Sequence, residues 1–208
     1  MLKRIKNKLY CVMIKLKHKE VVKFTKVQAS NLEIKSYGKN NCIYVEEYCD
    51  VKNCKFLFWG SHNSIRINSR ARLDGVTFWV EDDNNSITIG ENCTFENGTQ
   101  LAACEGTEIT IGEDCMFSNN ISVRTTDSHS IIDCQGNRTN HAANIYIGSH
   151  VWVGLQSLIL KGSTIGDNTI IAARSTTSSS IPNKSNCIIA GQPAKVIREN
   201  CNWCRERI

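Results

Sequence analysis

The sequence Ile89-Gly-Glu-Asn-Cys93 returns 22 residues later as Ile111-Gly-Glu-Asp-Cys115. Two earlier stretches, Val45-Glu-Glu-Tyr-Cys49 and Ile67-Asn-Ser-Arg-Ala71, precede it at the same spacing of 22. A fixed period of this length is the signature of a repeat protein, in which each repeat packs only against its neighbours. The chain is therefore predicted to be a solenoid.

Each of these stretches begins a series of apolar residues six positions apart. The second members are Val51, Leu73, Phe95 and Phe117, and the third members are Leu57, Trp79, Leu101 and Val123. From residue 147 the hexads run without interruption, through Ile147, Val153, Ile159, Ile165, Ile171 and Thr177. Three hexads make one coil, and the longer coils carry a polar or glycine-rich loop at one corner. The pattern predicts a parallel β-helix with three flat faces and inward-pointing leading residues.

The composition is that of one soluble domain, with 41% hydrophobic and 22% charged residues among 208. No stretch approaches the ~18 consecutive apolar residues that a membrane-spanning helix needs. The basic start also lacks the apolar run of a secretory signal. We therefore expect a cytoplasmic protein without a nucleic-acid partner.

The chain contains eleven cysteines, an odd number, and it is larger than the small secreted domains that disulfides usually stabilise. Reduced thiols are therefore expected. Cys49, Cys93 and Cys115 occupy the same position in successive repeats, which predicts a buried column of small side chains. Cys201-Asn-Trp-Cys204 is a lone pair at the end of the chain and is predicted to belong to a tail.

The positive charge is concentrated at the N-terminus, where residues 1–26 contain nine Lys or Arg and one Glu. Apolar residues there follow helical spacing, at Leu2, Ile5, Leu9, Val12 and Leu16. Such a helix either caps the open end of the β-helix, which is slightly favoured, or lies on an anionic membrane surface. The predicted organisation is a helical N-terminal segment at 1–40, a β-helix at 41–193 with a loop insertion at 124–146, and a C-terminal helix or tail at 194–208.

The segment from Ile147-Gly-Ser-His-Val-Trp152 through Ile165-Gly-Asp-Asn168 to Ala190-Gly-Gln-Pro193 resembles the hexapeptide-repeat acyltransferases. Arg124-Thr-Thr-Asp-Ser-His129, with His150-Val-Trp152 after it, is similar to the bacterial capsular and sialic-acid O-acetyltransferases. The resemblance implies a left-handed β-helix and a homotrimer with active sites between neighbouring chains. It also implies transfer of acetyl from acetyl-CoA to a sugar hydroxyl, in a capsular or other surface polysaccharide.

His129 is the candidate general base. It lies in the long polar insertion between Val123 and Ile147, and imidazole titrates near neutral pH, where a base must accept a hydroxyl proton. From the residues alone, a solvent-exposed loop histidine is an equal alternative, and the resemblance favours the catalytic role. Asp127 or Asp133 is predicted to orient its ring.

Trp152 lies between Val151 and Val153, whose side chains are predicted to point inward, so its indole should point outward. Burial at a subunit interface explains most such aromatic residues, and the resemblance also places this one beside the thioester. For Lys195 and Arg198 an ordinary solvated helix face is the alternative to a role in binding. The resemblance implies an acetyl-CoA site formed by Gly154, Ala172, Ala173, Ser178, Lys195 and Arg198.

Arg124, Arg138 and His141 are predicted to bind an acidic sugar through charge-assisted hydrogen bonds. No metal is expected. Three alternatives remain: transfer to a small acceptor such as a free or nucleotide-linked sugar or an antibiotic, a γ-type carbonic anhydrase, and a non-catalytic solenoid. The second would need His129, His141 and His150 on zinc, and their spacing does not match that use.

Overall fold

The computed structural model describes residues 2–18 and 21–208, with the side chains of residues 9–14, 16–18 and 21–208. In this part of the chain, one helix, α1 (Leu2–Lys17), precedes a long series of short strands. The strands are β1 (Val22–Phe24), β2 (Gln28–Ser30), β3 (Glu33–Ser36), β4 (Cys42–Val45), β5 (Asp50–Lys52), β6 (Lys55–Phe58), β7 (Ser64–Ile67), β8 (Arg72–Asp74), β9 (Thr77–Glu81), β10 (Ser86–Ile89), β11 (Thr94–Phe95), β12 (Gln100–Cys104), β13 (Glu108–Ile111), β14 (Met116–Phe117), β15 (Ser122–Arg124), β16 (Ile145–Ile147), β17 (Trp152–Val153), β18 (Leu158–Leu160), β19 (Thr164–Ile165), β20 (Ile170–Ile171), β21 (Thr176–Thr177), β22 (Cys187–Gly191) and β23 (Ala194–Glu199).

The strands form three sheets, and the chain visits the sheets in a repeating order. Sheet A contains β1, β4, β7, β10, β13, β16 and β19. Sheet B contains β2, β5, β8, β11, β14, β17, β20, β22 and β23. Sheet C contains β3, β6, β9, β12, β15, β18 and β21. From β1 to β22, strands of successive coils pair in parallel within each sheet, so the molecule is the three-sided column that the hexads predict.

Both predicted boundaries of the β-helix need correction. The first coil already begins at Val22, within the segment 1–40 that was predicted to be a helical cap. The predicted C-terminal helix at 194–208 is wrong, because Ala194–Glu199 is strand β23. The turn at 191–193 reverses the chain, and β23 then pairs antiparallel with β22 and covers the open edge of sheet B. The insertion predicted at 124–146 agrees with the loop between β15 and β16.

The interior of the column is a continuous stack of apolar side chains. The leading residues Val45, Ile67, Ile89 and Ile111 are buried as predicted. The column of small side chains predicted at Cys49, Ala71, Cys93 and Cys115 is also confirmed, since each is 0% exposed. Burial raises the pKa of the Cys49 thiol to about 11, so this thiol stays protonated and packs as an apolar group.

The predicted register is wrong on sheet C in two coils. Phe56 and Phe78, not Leu57 and Trp79, point into the core, where their rings stack at 4.7 Å. Phe78 follows the inward-pointing Leu73 by five residues instead of six. The corner between β8 and β9 is therefore one residue shorter than a hexad, and a shift of one residue turns a strand's side chains to the opposite face.

The corner between sheets A and B holds one residue per coil in the left-handed region. Asn92 (φ 62°), Asp114 (φ 55°), His150 (φ 54°) and Asn168 (φ 56°) occupy this position in successive coils. Short polar side chains tolerate this conformation better than most, which explains the frequency of Asn and Asp. The stacking of coils brings the side chains of Asp114 and His150 together.

Helix α1 caps the first coil, which is one of the two positions that the sequence predicts for it. The hydroxyl of Tyr10 accepts a hydrogen bond from the Leu32 backbone N–H (2.6 Å), and Ile14 is buried against the column. Four other apolar side chains on the helix, those of Leu9, Val12, Met13 and Leu16, remain exposed. No helix in the described ranges 2–18 and 21–208 has the length and apolar character needed to cross a membrane.

Candidate active site

The loop at 125–144 is anchored at both ends to the preceding coil. At its start, the buried Thr125 accepts a hydrogen bond at Oγ1 from the Cys104 backbone N–H (3.1 Å). At its end, Asn144 Oδ1 accepts one from the Glu108 backbone N–H (3.1 Å). The loop therefore stands on a rigid scaffold at the edge where sheets C and A meet.

An ion pair between Arg138 and Glu105 ties the middle of the loop to the column. Arg138 donates from Nη1 and Nη2 to the two carboxylate oxygens at 2.7 and 2.9 Å, and Thr126 donates its hydroxyl to the same carboxylate at 2.6 Å. These hydrogen bonds, that of Arg138 first, lower the pKa of Glu105 to about 2. Arg138, predicted to bind substrate, thus holds the loop in place. Its predicted contact with an acceptor stays a prediction.

Asp127 is part of a second group of polar contacts. Lys161 donates to Asp127 Oδ2 at 2.6 Å, and Asn140 Nδ2 donates to the same oxygen at 2.8 Å. The hydrogen bond from Lys161, and then that from Asn140, hold the pKa of Asp127 below its usual range. Asn140 Nδ2 also donates to the backbone carbonyl of His129 (2.8 Å). Asp127 and His129 are therefore linked through Asn140.

His129 is exposed. Among the described residues of the single chain, neither Asp127 nor Asp133 has a hydrogen bond to this ring. Asp133 instead accepts hydrogen bonds from the backbone N–H groups of Gln135 (2.9 Å) and Asn137 (2.8 Å) and closes a turn. The structure supports no orientation of the ring by a carboxylate of the same chain.

Two of the residues predicted to bind the acceptor lie in or next to the loop that carries His129. Arg124 projects outward from β15, and its Nη2 lies 3.4 Å from the hydroxyl of Ser128. His141 is exposed in the same loop. Arg124, His129 and His141 are thus carried by the same edge of the column, and their role in binding stays a prediction.

Trp152 points outward from sheet B, as the strand period predicts, and is 39% exposed. The loop with His129 stands where sheets C and A meet, and in a three-sided column this edge is opposite sheet B. One chain therefore does not bring His129 and Trp152 together. A site that contains both residues needs two chains.

The residues predicted to bind acetyl-CoA lie toward the C-terminal end of the column. A Cβ at Gly154 would lie 2.5 Å from the Ala173 backbone nitrogen, so close packing of the next coil already requires this glycine. Ala173, Lys195 and Arg198 are exposed, while Ala172 and Ser178 are partly exposed. Lys195 and Arg198 lie on β23 rather than on the helix face considered above, and their role stays a prediction.

Sequence reasoning missed Lys161 and Asn140, which fix the loop, and Trp203, which lies between the two cysteines of the predicted tail. Trp203 is 9% exposed, and its ring stacks on His150 at 4.2 Å. A large aromatic residue in an otherwise polar terminal segment was the available signal for Trp203. For Lys161 and Asn140, 21 residues apart in the sequence, no comparable pattern exists.

Within residues 2–18 and 21–208, no three or more His, Cys, Asp and Glu side chains are arranged to hold a metal ion. The three histidines that a zinc site would need are separated in the fold. His129 and His141 lie in the loop, whereas His150 lies at the corner between sheets A and B, with its Nδ1 2.6 Å from Asp114 Oδ2.

No protein-family model matches the chain. Polysialic acid O-acetyltransferase of Escherichia coli O1:K1 / APEC is 34% identical over 87 residues, which cover 41% of this chain and 28% of that protein. Galactoside O-acetyltransferase of Escherichia coli strain K12 is 36% identical over 80 residues, which cover 38% of each protein. The chain thus spans less than half the length of these curated relatives.

The fold extends the similarity over most of the chain. The crystal structure of the polySia-specific acetyltransferase NeuO matches with a TM-score of 0.69 and 28% identity, over 85% of this chain and 83% of that one. This match confirms the predicted left-handed parallel β-helix. The chain is therefore similar to O-acetyltransferases of the hexapeptide-repeat family, as the sequence predicts.

Proposed function

We propose that the protein is an acetyl-CoA-dependent O-acetyltransferase that acetylates a sugar hydroxyl in a capsular or other surface polysaccharide. One observation carries the proposal. His129 is presented, with its ring free, by a loop that Arg138 and Lys161 hold rigidly on a β-helix like that of a polySia-specific acetyltransferase. A fixed loop with a free imidazole is what proton abstraction from a bound hydroxyl requires.

In the proposed reaction, a nitrogen of the His129 ring accepts the proton of the sugar hydroxyl. The oxygen attacks the carbonyl carbon of the thioester, and a tetrahedral intermediate forms. As the intermediate collapses, the carbon–sulfur bond breaks, and the imidazolium returns the proton to the departing sulfur. The product is an O-acetyl sugar, and His129 is restored to its neutral form without a covalent enzyme intermediate.

Asp127 has an indirect role in this proposal. Its carboxylate fixes Lys161 and the side-chain amide of Asn140, and that amide holds the His129 backbone. Asp127 is therefore a positioning residue for the loop, and it differs in this respect from the carboxylate of a catalytic triad. Preorganisation of this kind supports catalysis because the reacting groups need not be ordered during the reaction.

The outer face of sheet B suits acetyl-CoA. The register aligns Trp152, Ile170, Ile188 and Arg198 in one row across neighbouring strands. The exposed Trp152 and the partly exposed Ile188, with the buried Ile170 between them, offer an apolar surface for the pantetheine arm. Arg198 and the exposed Lys195 offer positive charge for the phosphates at the end of the row. Acetyl-CoA supplies the activated acetyl group as a co-substrate.

We propose that the protein is a homotrimer. The edge with His129 of one chain would lie against sheet B of the next chain, so that each site receives His129 from one chain and Trp152 from its neighbour. Such an edge-to-face contact uses two different surfaces, and contacts of this kind generate closed rings when the rotation allows. The number of three chains comes from the resemblance to the hexapeptide-repeat acyltransferases.

Acetyl transfer to purified polymers tests this function. We expect uptake of labelled acetyl from acetyl-CoA into an acidic capsular polysaccharide, with kcat/KM rising with the chain length of the acceptor. Equal transfer to a free sugar, a nucleotide sugar or an antibiotic would favour the small-acceptor alternative. A protein without affinity for CoA would be a non-catalytic solenoid, and zinc bound at one ion per chain would favour a carbonic anhydrase.

We further propose that the protein is cytoplasmic and associates with an anionic membrane surface through α1. Residues that are exposed on this helix at i, i+3, i+4 and i+7 are Leu9 (58%), Val12 (47%), Met13 (64%) and Leu16 (73%). The segment 1–26 carries nine basic residues against one acidic residue. Like charge disfavours the pairing of two such helices, whereas an anionic lipid surface attracts both the charge and the apolar side chains.

Vesicle flotation checks this association. The protein is expected to bind vesicles that contain phosphatidylglycerol and not vesicles of phosphatidylcholine alone, with binding weakened by salt. Replacing Leu9 and Leu16 with Ser should weaken binding about tenfold or more, since each loses an apolar side chain from the lipid. Ile197→Ser, which alters an equally exposed residue on β23 at the other end of the column, is the control. Equal binding to both kinds of vesicle would contradict the proposal.

A further inference from the structure

The C-terminal residues 201–205, here called the strap, run back along the column instead of leaving it. The strap begins beside the last coil, where the Cys201 backbone N–H donates to the carbonyl of Asn186 (3.1 Å). It ends four strands lower in sheet B, where Arg205 Nη1 donates to the hydroxyl of Thr94 on β11 (3.0 Å). The strap therefore crosses several coils along the corner of sheets A and B.

Two sets of contacts fix the strap. The indole N–H of Trp203 donates to the His150 carbonyl (2.8 Å), and His150 Nε2 lies 3.0 Å from the Trp203 carbonyl oxygen. Arg205 donates to Asp114 Oδ1 (2.9 Å) and to the backbone carbonyls of Asn92, Asp114 and Cys115. Asp114 joins the two sets, since its other oxygen lies 2.6 Å from His150 Nδ1.

The strap is partly buried although it lies outside the strands. Trp203 is 9% exposed, and its ring is parallel to that of His150 within 7°. Burial opposes ionisation of Asp114, but the hydrogen bonds of His150 and Arg205 outweigh it and lower the pKa of this carboxyl group. Residues 201–205 form no strand, so side-chain contacts rather than a sheet ladder hold the strap on the column.

Trp203 also contacts Trp152. The two ring centroids are 6.2 Å apart and their planes are inclined at 50°, within the range of favourable aromatic pairs. Trp152 lies in the two-residue strand β17, between Met116 and Ile170 in the register of sheet B. Its indole is 39% exposed, so the strand alone leaves it free to change rotamer.

We infer that the strap belongs to the thioester side of the active site and that Trp203 is a positioning residue that fixes the indole of Trp152. This inference rests on the proposed function for the role of Trp152. Trp203 lies against Trp152 on the side of His150, and the remaining surface of the indole faces outward, where the neighbouring chain would lie in the trimer. Removal of Trp203 should release the indole without altering the residues that would hold the CoA phosphates.

The kinetic test compares Trp203→Ala with Trp203→Phe. The alanine variant is expected to lower kcat about three- to tenfold, the value of one aromatic pair, with KM for acetyl-CoA changed less than twofold. Phenylalanine, which restores an aromatic neighbour, should recover most of kcat. Arg205→Gln, which loosens the strap and leaves Trp203 in the chain, should change kcat in the same direction. Trp59→Ala, which removes an exposed indole on sheet C, is the matched control and should leave kcat unchanged.

A second measurement does not depend on activity. In protein labelled with 5-fluorotryptophan, the four tryptophans give separate ¹⁹F resonances. The resonance of Trp152 should shift in Trp203→Ala and stay in place in Trp59→Ala. An unchanged Trp152 resonance, or a kcat within twofold of the parent in an active protein, would overturn the positioning role. Absence of acetyl transfer by the parent protein, with a shifted Trp152 resonance, would instead reject the proposed function and the strap's place in it.

Discussion

Replacement of His129 with Ala is expected to lower kcat for acetyl transfer by about 10²- to 10⁴-fold, the usual contribution of a positioned general base. The ring is exposed at the loop surface, so its removal leaves the ion pair between Arg138 and Glu105 intact. Binding of CoA should be unchanged, because the row from Trp152 to Arg198 lies on a different sheet. The measurement is the initial rate with acetyl-CoA, accompanied by titration of the variant with CoA.

His129→Gln is the control, since glutamine fills similar space and cannot act as a base near neutral pH. It should be as inactive as the alanine variant. A rate within a few-fold of the parent for either variant would remove His129 from the mechanism.

The same variant tests the arrangement of sites between chains. His129→Ala and Trp152→Ala should each be inactive alone, and subunits of both refolded together should regain about a quarter of the parental rate, because each mixed ring contains one intact site. No recovery in mixtures that contain mixed trimers would show that His129 of one chain and Trp152 of its neighbour do not form a shared site, contrary to the proposed assembly.

Phe78→Ala is expected to lower the free energy of unfolding by about 3–5 kcal/mol, the range for loss of a large buried aromatic side chain. Phe78 is 0% exposed and stacks on Phe56 in the next coil, so the cavity cannot be filled from solvent. Chemical denaturation followed by circular dichroism measures the effect. In a stacked column, the loss should appear as a lower transition midpoint.

The neighbouring Trp79→Ala is the matched control. Trp79 is the larger side chain, but it points outward, where it contacts Trp59 and donates its indole N–H to Glu81 (3.1 Å). Its removal should lower the free energy of unfolding by about 1.5 kcal/mol or less. If Trp79→Ala were the more destabilising change, the register observed on sheet C would be wrong and the hexad register would be right.

The hexad pattern predicted the column, since its apolar period is set by backbone geometry that is the same in every coil. The pattern failed at the corner between β8 and β9. This corner is one residue shorter than a hexad, so Phe78 instead of Trp79 points into the core. The hydrophobic pattern does not reveal this shift, because Phe78 and Trp79 are both aromatic and either could be assigned to the core. The helix predicted at 194–208 was wrong for another reason. The alternation of apolar and polar residues along Ala194–Glu199 is too short to indicate a strand, and this segment forms one because it pairs with β22.

The candidate site was only partly predictable for a different reason. His129 and Trp152 could be identified from local sequence and resemblance. Their neighbours could not, since the loop folds back on itself and Arg138 meets Glu105 across 33 residues. Residue types such as Arg and Asp suggest binding to a ligand, but in a long loop the same charges are as readily used to hold the loop together.

The parallel stacking of coils fixes the distance along the column between α1 and the loop that carries His129. In sheet C, the strands from β3 to β15 are separated by four steps, and each step in a sheet is about 4.8 Å. A lipid surface bound by α1 at the bottom of the column would therefore lie roughly 20 Å below the loop with His129. Addition or deletion of a whole coil would change this height by one strand spacing. Under the proposed function, the number of coils would therefore set the distance between the membrane and the point of acetylation.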